Sequence, residues 1–148
     1  MEAYHHRVQY YETDKMGITH HSNYIRWMEE ARVDFLSRIG WDYERLEASG
    51  IFSPVMAVDC KYRRSTTFAD DVYISVTVEE LRGVRLRLRY DMKNADGVTL
   101  CEAHSEHCFL DAKGRVVRIK KDCPELYAVL SELVPPDDGA EENAQTAP

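Results

Sequence analysis

The stretch YYETDKMGITHHSNYIRWMEEAR, residues 10–32, decides the fold. Its second half places apolar side chains at helical spacing, which predicts a helix over residues 22–39 with one buried stripe. The members of this stripe are Tyr24, Trp27, Met28, Ala31, Phe35 and Ile39. Ser22 is the expected N-cap, and Gly40 stands where helices commonly end in the left-handed conformation.

A loop at residues 12–20 precedes the predicted helix and carries one aspartate, Asp14, and one glycine, Gly17. The N-terminus of a helix offers unpaired backbone N–H groups and a partial positive charge, so it can hold an anion or a developing oxyanion. A carboxylate beside such a site is suited to attacking or hydrating a carbonyl group. Taken alone, Asp14 also has a plainer explanation, because aspartate often caps turns in loops.

Most of the remaining chain has strand character. Strand patterns occur at residues 4–11, 72–79, 85–93 and 99–110, and shorter helices are predicted at 42–48 and 124–133. The order of strand, long helix and then antiparallel strands indicates an α+β architecture, in which a curved sheet wraps around the long helix.

The composition is ordinary for a globular protein, with 148 residues of which 44% are hydrophobic and 30% charged. We predict one domain at residues 1–134 and an acidic tail at 135–148 that is too polar to stay ordered. The net charge is −7, of which the tail contributes −4, and the mildly acidic body that remains, at −3, argues against general nucleic-acid binding. Neither a signal peptide nor a membrane span is expected, and the four cysteines lack Cys-x-x-Cys spacing, so a cytoplasmic protein with reduced thiols is predicted.

Many spaced positions between residues 11 and 32 match one family pattern together. On these positions the chain resembles the acyl-CoA thioesterases of the hotdog fold, in the 4-hydroxybenzoyl-CoA thioesterase-like group. The matching residues are Tyr11, Asp14, Gly17, His21, Asn23, Tyr24, Trp27, Glu29, Ala31 and Arg32, followed by Cys60, Tyr62 and Ser65. The resemblance extends over residues 4–125 and implies a homodimer or homotetramer with each active site at a subunit interface.

The resemblance also implies the roles of three residues in the loop and at the start of the helix. Asp14 is the catalytic carboxylate, the backbone N–H of His21 polarises the thioester carbonyl, and Gly17 lets the loop pass close to the substrate. Asp14 then acts either as a nucleophile that forms an acyl-enzyme anhydride or as a general base on water. The sequence leaves both routes open.

Three residues of the helix are expected at the substrate site. Asn23 and Tyr24 support the loop, and the apolar surface of Trp27 lines or backs the acyl channel. Glu29 is a second candidate carboxylate, but it lies about two helical turns beyond His21. We therefore expect a structural role for Glu29.

Three arginines, Arg85, Arg87 and Arg89, recur on one side of a predicted strand. In the simpler interpretation, these arginines form a strand face that is exposed to solvent and binds no ligand. In the functional interpretation, their guanidinium groups bind the phosphates of coenzyme A or of an acyl-carrier phosphopantetheine.

No metal or other cofactor is expected. A group of histidines and cysteines crowds one strand, namely Cys101, His104, His107 and Cys108. Adjacent residues of a strand point to opposite faces, and no pair has the usual spacing of zinc ligands.

The sequence therefore predicts an enzyme that hydrolyses acyl-CoA thioesters, or acyl-carrier-protein thioesters, to free acid and thiol. One alternative is a hydratase or dehydratase on the same fold, which needs a histidine general base such as His20 or His21. The other alternative is a non-catalytic protein that binds acyl thioesters.

Overall fold

Five antiparallel strands form a single sheet that packs against one long helix. The computed structural model describes residues 2–136. The strands are β1 (Tyr4–Arg7), β2 (Val55–Tyr62), β3 (Asp71–Arg82), β4 (Arg85–Lys93) and β5 (Thr99–His107). The helices are α1 (Ser22–Arg38), α2 (Tyr43–Ala48), α3 (Ile119–Asp122) and α4 (Pro124–Leu133). The strand order is β1-β3-β4-β5-β2, so β1 and β2 are the two edges.

Helix α1 lies at the centre of the hydrophobic core, as predicted. The side chains of its apolar stripe that are less than 5% exposed are Tyr24, Trp27, Met28, Ala31 and Phe35. The residues that β4 contributes to the same core are Leu86, Leu88, Tyr90 and Met92. Because full burial of one large apolar side chain contributes about 1.5–3 kcal/mol, this helix-on-sheet layer is the main source of stability.

The C-terminus of α1 is closed as the sequence predicts. Gly40 has a φ of +84°, and the N–H of Trp41 donates to the carbonyl of Leu36 at 2.9 Å. This is the Schellman arrangement, in which a glycine in the left-handed conformation lets the chain turn back over the last carbonyls.

The N-terminal boundaries differ from the prediction. The first strand ends at Arg7 rather than at residue 11, because Tyr10–Glu12 forms a 3-10 turn. The N-cap of α1 is His21 rather than Ser22, and the hydroxyl of Ser22 lies 2.8 Å from Nδ1 of His20 instead.

The last strand is also shorter than predicted. It ends at His107, and Leu110 forms isolated bridges with Phe52 and Val116. The chain leaves the sheet here and continues through α3 to α4.

Strand β2 pairs with β5 along one side only, and no other strand of residues 2–136 covers its second side. Four of its apolar side chains are 41–65% exposed, namely Val55, Met56, Val58 and Tyr62. An open apolar edge of this kind is a ready surface for pairing with another chain.

The predicted tail lies outside the described residues, apart from Pro135 and Pro136. Within the part that the structure describes, every helix is too short or too polar to cross a bilayer.

Candidate active site

Asp14 begins a tight turn that ends at Gly17. Its carbonyl accepts the N–H of Gly17 at 2.9 Å, and its Oδ1 accepts the N–H of Met16 at 2.8 Å. The turn needs Gly17, whose φ is +84°, a conformation that side chains with a Cβ rarely adopt. The second carboxylate oxygen of Asp14 accepts no hydrogen bond from residues 2–136, so this oxygen is available to a substrate or to water.

The loop is tied to the segment that leads into β3. Thr19 donates its backbone N–H to the carbonyl of Thr66 at 2.9 Å, and the two threonine hydroxyls lie 2.6 Å apart. The hydroxyl of Thr67 donates to the carbonyl of Gly17 at 2.7 Å. These bonds hold the C-terminal end of the Asp14 turn against the segment that precedes β3.

His21 is the N-cap residue of α1, and its backbone N–H is distinct from those that follow it. The N–H groups of Ser22, Asn23 and Tyr24 donate to Nδ1 of His20, the carbonyl of His20 and the carbonyl of His21, respectively. The N–H of His21 makes no hydrogen bond in the described part of the chain. It is therefore a donor at the positive end of a helix dipole with capacity to hold an oxyanion.

Asn23, Tyr24 and Trp27 are all buried, and their polar atoms bond to the protein. The side-chain amide of Asn23 donates to the carbonyl of Glu12 at 2.9 Å, and the hydroxyl of Tyr24 lies 3.1 Å from the hydroxyl of Thr66. The side chain of Asn23 thus bonds directly to the loop, whereas that of Tyr24 bonds to the segment that precedes β3. Trp27 has no exposed surface in this chain.

Glu12 is a buried residue of the site that the sequence reasoning missed. Its carboxylate accepts the indole N–H of Trp27 at 2.6 Å and the backbone N–H of Gln9 at 2.8 Å, and it lies 2.8 Å from Nε2 of His6. Burial by itself raises the pKa of this carboxyl, but the hydrogen bonds from Gln9, His6 and Trp27 outweigh burial and lower it below the ordinary value. Its position two residues before Asp14 is visible in the sequence, but its contacts with Trp27 and His6 are not.

The three predicted phosphate ligands lie on the face of the sheet opposite to α1, because they alternate along β4 with its core residues. Arg87 donates to Glu79 and to Glu106, in both cases at 2.7 Å. Arg89 donates to both carboxylate oxygens of Asp91. Each of these two guanidinium groups is neutralised within the chain.

Arg85 is less tightly held. It is 3.5 Å from Glu80 and 3.8 Å from Glu106, and its side chain is 53% exposed. It is therefore the arginine of the three that can turn most easily toward a phosphate.

Glu29, the second candidate carboxylate, lines an open groove of about 1070 Å³ between α1 and β1. Asp14 and His21 do not line this groove, so the two candidate carboxylates do not share it. Among residues 2–136, no three histidine, cysteine, aspartate or glutamate side chains converge as metal ligands would.

Comparison with known proteins identifies the family. The model of the thioesterase-like superfamily matches residues 8–138. A relative from Aquifex aeolicus with a provisional esterase name is 36% identical over 124 residues, which span 83% of this chain and 94% of the relative. The acyl-CoA thioester hydrolase YbgC of Escherichia coli O6:H1 is 27% identical over 97 residues, 66% of this chain and 72% of YbgC.

A solved structure of similar shape is the DHNA-CoA thioesterase of Staphylococcus aureus. Its TM-score is 0.83 at 26% identity, and the match covers 99% of this chain and 96% of that one. The chain therefore belongs to the thioesterase-like superfamily and has the hotdog fold.

Proposed function

We propose that this protein hydrolyses acyl-CoA thioesters with Asp14 as the reacting carboxylate and the backbone N–H of His21 as the oxyanion donor. Membership of the thioesterase-like superfamily and the names of the relatives support thioester hydrolysis. The observation that carries the residue assignment is that two polar groups of the segment 14–21 make no hydrogen bond within residues 2–136. These are the second carboxylate oxygen of Asp14 and the backbone N–H of His21.

The chemistry follows from these two groups. The thioester carbonyl oxygen accepts the N–H of His21, which stabilises the negative charge that develops when the carbonyl is attacked. In the nucleophilic route, Asp14 attacks the carbonyl carbon, the carbon–sulfur bond breaks, and water then hydrolyses the resulting anhydride. In the general-base route, Asp14 takes a proton from the water that attacks the carbonyl carbon, the carbon–sulfur bond then breaks, and the proton passes to the departing thiolate. Mass spectrometry of rapidly quenched enzyme separates these routes, because only the first leaves an acyl group on Asp14.

A second copy of this chain completes the proposed site. Around the Asp14 turn, the large apolar side chains of Tyr10, Met16 and Phe68 are 54–77% exposed, and β2 has an open edge. Exposed apolar side chains beside an open strand edge support association. We propose a homodimer or homotetramer, and light scattering on a sizing column measures which of them forms.

The substrate assignment includes the thiol carrier. Coenzyme A is the carrier named for the relatives, and acyl carrier protein is a further candidate that a direct comparison of turnover tests. We also propose a cytoplasmic location. All four cysteines are unpaired thiols, the state that a reducing compartment maintains.

Thiol release from a panel of short, long and aromatic acyl-CoAs tests the function. We expect Asp14→Asn to abolish most turnover and Asp111→Asn to retain it, because Asp111 begins a turn with the same Asp-x-x-Gly spacing elsewhere on the surface. Full turnover by a folded Asp14→Asn enzyme would contradict the assignment. Water addition to an enoyl-CoA without thiol release would indicate a hydratase instead, and binding without turnover of any thioester would indicate a binding protein.

A further inference from the structure

Tyr62, the last residue of the edge strand β2, reaches across to the start of α1. Its hydroxyl donates a hydrogen bond to the carbonyl of His21 at 3.2 Å. Its ring lies edge-on to the ring of His21, with centroids 6.3 Å apart, and edge-on to the ring of Tyr24, at 5.1 Å. One side chain therefore connects the outermost strand with the first turn of the helix.

The carbonyl that Tyr62 contacts belongs to the residue whose N–H is the proposed oxyanion donor. The N–H of Tyr24 also donates to this carbonyl, at a longer distance of 3.3 Å. His21 precedes the regular part of the helix. At this position the backbone has fewer hydrogen-bond constraints than inside the helix. A bond that fixes the carbonyl of His21 also restricts the backbone angles of His21, and these angles set the direction of its N–H.

We propose that Tyr62 is a positioning residue that holds the backbone N–H of His21 in the direction of the thioester carbonyl oxygen. This inference rests on the proposed function, because it assigns a support to the oxyanion donor named there. Tyr62 itself need not contact the reacting atoms. It acts through the peptide backbone of His21.

The hydroxyl of Tyr62 is a neutral donor at ordinary pH. Burial, followed by interaction with Cys60, raises the pKa of Tyr62 to about 12. The hydroxyl therefore keeps its proton throughout the range in which a thioesterase is assayed. A positioning role predicts an effect on turnover that does not change with pH, whereas a role as acid or base predicts an effect that does.

The test is Tyr62→Phe, which removes the hydroxyl and keeps the ring. Tyr73→Phe is the matched control, because Tyr73 is also a partly exposed strand tyrosine, and its hydroxyl makes no hydrogen bond within residues 2–136. We expect Tyr62→Phe to lower kcat for acyl-CoA hydrolysis about three- to tenfold, the effect of one lost hydrogen bond. KM stays unchanged, and the ratio of wild-type to variant kcat is the same on both sides of neutral pH. Tyr73→Phe behaves as wild type.

Wild-type kcat in Tyr62→Phe overturns this inference, as does a change in KM alone, which would place the hydroxyl in substrate binding. A kcat ratio that varies with pH also overturns it in favour of acid–base chemistry. The proposed function fails separately, through full turnover by Asp14→Asn. Loss of activity in Asp14→Asn together with wild-type kcat in Tyr62→Phe therefore refutes the role of Tyr62 alone.

Discussion

Asp14 and Asp111 occupy the same position in two turns with the same backbone hydrogen bonds. Each carbonyl accepts the N–H of a glycine three residues later, at 2.9 and 3.0 Å, and each Oδ1 accepts the N–H two residues later, at 2.8 and 2.9 Å. Oδ1 of Asp111 also accepts the N–H of Arg115 at 2.9 Å, and the larger difference lies in the second carboxylate oxygen. That of Asp111 accepts the guanidinium of Arg115 at 3.3 Å, whereas that of Asp14 is unbonded within the described chain. The turn thus explains why an aspartate stands at both places, and only Asp14 keeps a carboxylate oxygen that makes no hydrogen bond within residues 2–136.

Gly17→Ala is expected to reduce turnover more than stability. A Cβ at Gly17 meets no atom within 4 Å, so the cost is the positive φ, about 1–2 kcal/mol. The variant can relieve this strain by shifting the turn that carries Asp14. Gly114→Ala, at φ +78° in the Asp111 turn, is the matched control.

We expect chemical denaturation to give similar losses of stability for the two glycine variants, and thiol release to fall at least tenfold only for Gly17→Ala (a loss of about 1.4 kcal/mol in transition-state stabilisation). Equal activities of the two variants would mean that the shape of the Asp14 turn does not matter for turnover.

Glu12→Gln is expected to destabilise the protein and to weaken the support of the loop. The change removes the charge from hydrogen bonds to Trp27, Gln9 and His6, which costs about 1.5–3 kcal/mol at neutral pH. The pKa of Glu12 is lowered in the folded state, so its contribution is present above the unfolded-state pKa and is lost as the pH falls through the folded-state pKa.

Urea unfolding of wild type and Glu12→Gln at neutral and at acidic pH measures this contribution. The difference between the two proteins should shrink as the medium is acidified below the ordinary range of glutamate. A difference that is independent of pH would show that the carboxylate charge is not the stabilising element.

Arg85→Ala is expected to raise KM for acyl-CoA several-fold and to leave KM for the corresponding acyl-pantetheine unchanged. Acyl-pantetheine has the same thioester and lacks the nucleotide phosphates, so this comparison isolates phosphate recognition. Arg89→Ala is the control on the same strand, since its guanidinium is held by Asp91. Equal KM values for wild type and Arg85→Ala with acyl-CoA would show that Arg85 does not bind the phosphates.

His107→Gln is expected to reduce the loss of unfolding free energy that accompanies a fall in pH below neutral. Burial, and next the charge of Arg32, lower the pKa of His107 to about 4. The unfolded chain binds this proton near pH 6.5, so unfolding takes up a proton between the two pKa values, and stability rises with pH across that interval. The wild type should lose about 3 kcal/mol from this group between neutral pH and the lowered pKa.

Urea unfolding across that interval checks the expectation, with His5→Gln as the control, because His5 lies on the surface. A profile for His107→Gln as steep as that of the wild type would assign the acid sensitivity to other groups.

The parts of the fold that depend on local pattern were predictable from the sequence. The spacing of Trp27, Met28 and Phe35 predicts α1, and Gly40 predicts its end, because helix periodicity and the glycine C-cap are local properties. The 3-10 turn at Tyr10–Glu12 was not predictable in this way. It is stabilised in part by the bond from the N–H of Gln9 to the buried carboxylate of Glu12.

The same distinction between local pattern and distant contacts applies to the candidate site. Asp14, Gly17 and His21 stand close together in the sequence and match the family pattern, and this resemblance carries the hypothesis. The roles of Glu12 and Tyr62 depend on contacts with Trp27, 15 residues away, and with His21, 41 residues away. Such contacts arise only when β1, α1 and β2 pack together, and a single sequence does not reveal them. Similarly, the carboxylates that neutralise Arg87 come from two neighbouring strands.

The most direct test of the central claim is a crystal structure with an acyl-CoA analogue in which a methylene group replaces the thioester sulfur. The proposal predicts that the carbonyl oxygen of the analogue lies about 2.7–3.1 Å from the backbone nitrogen of His21, with the second carboxylate oxygen of Asp14 facing the carbonyl carbon or a water beside it. A carbonyl group bound against Glu29 in the groove between α1 and β1, away from His21, would contradict it.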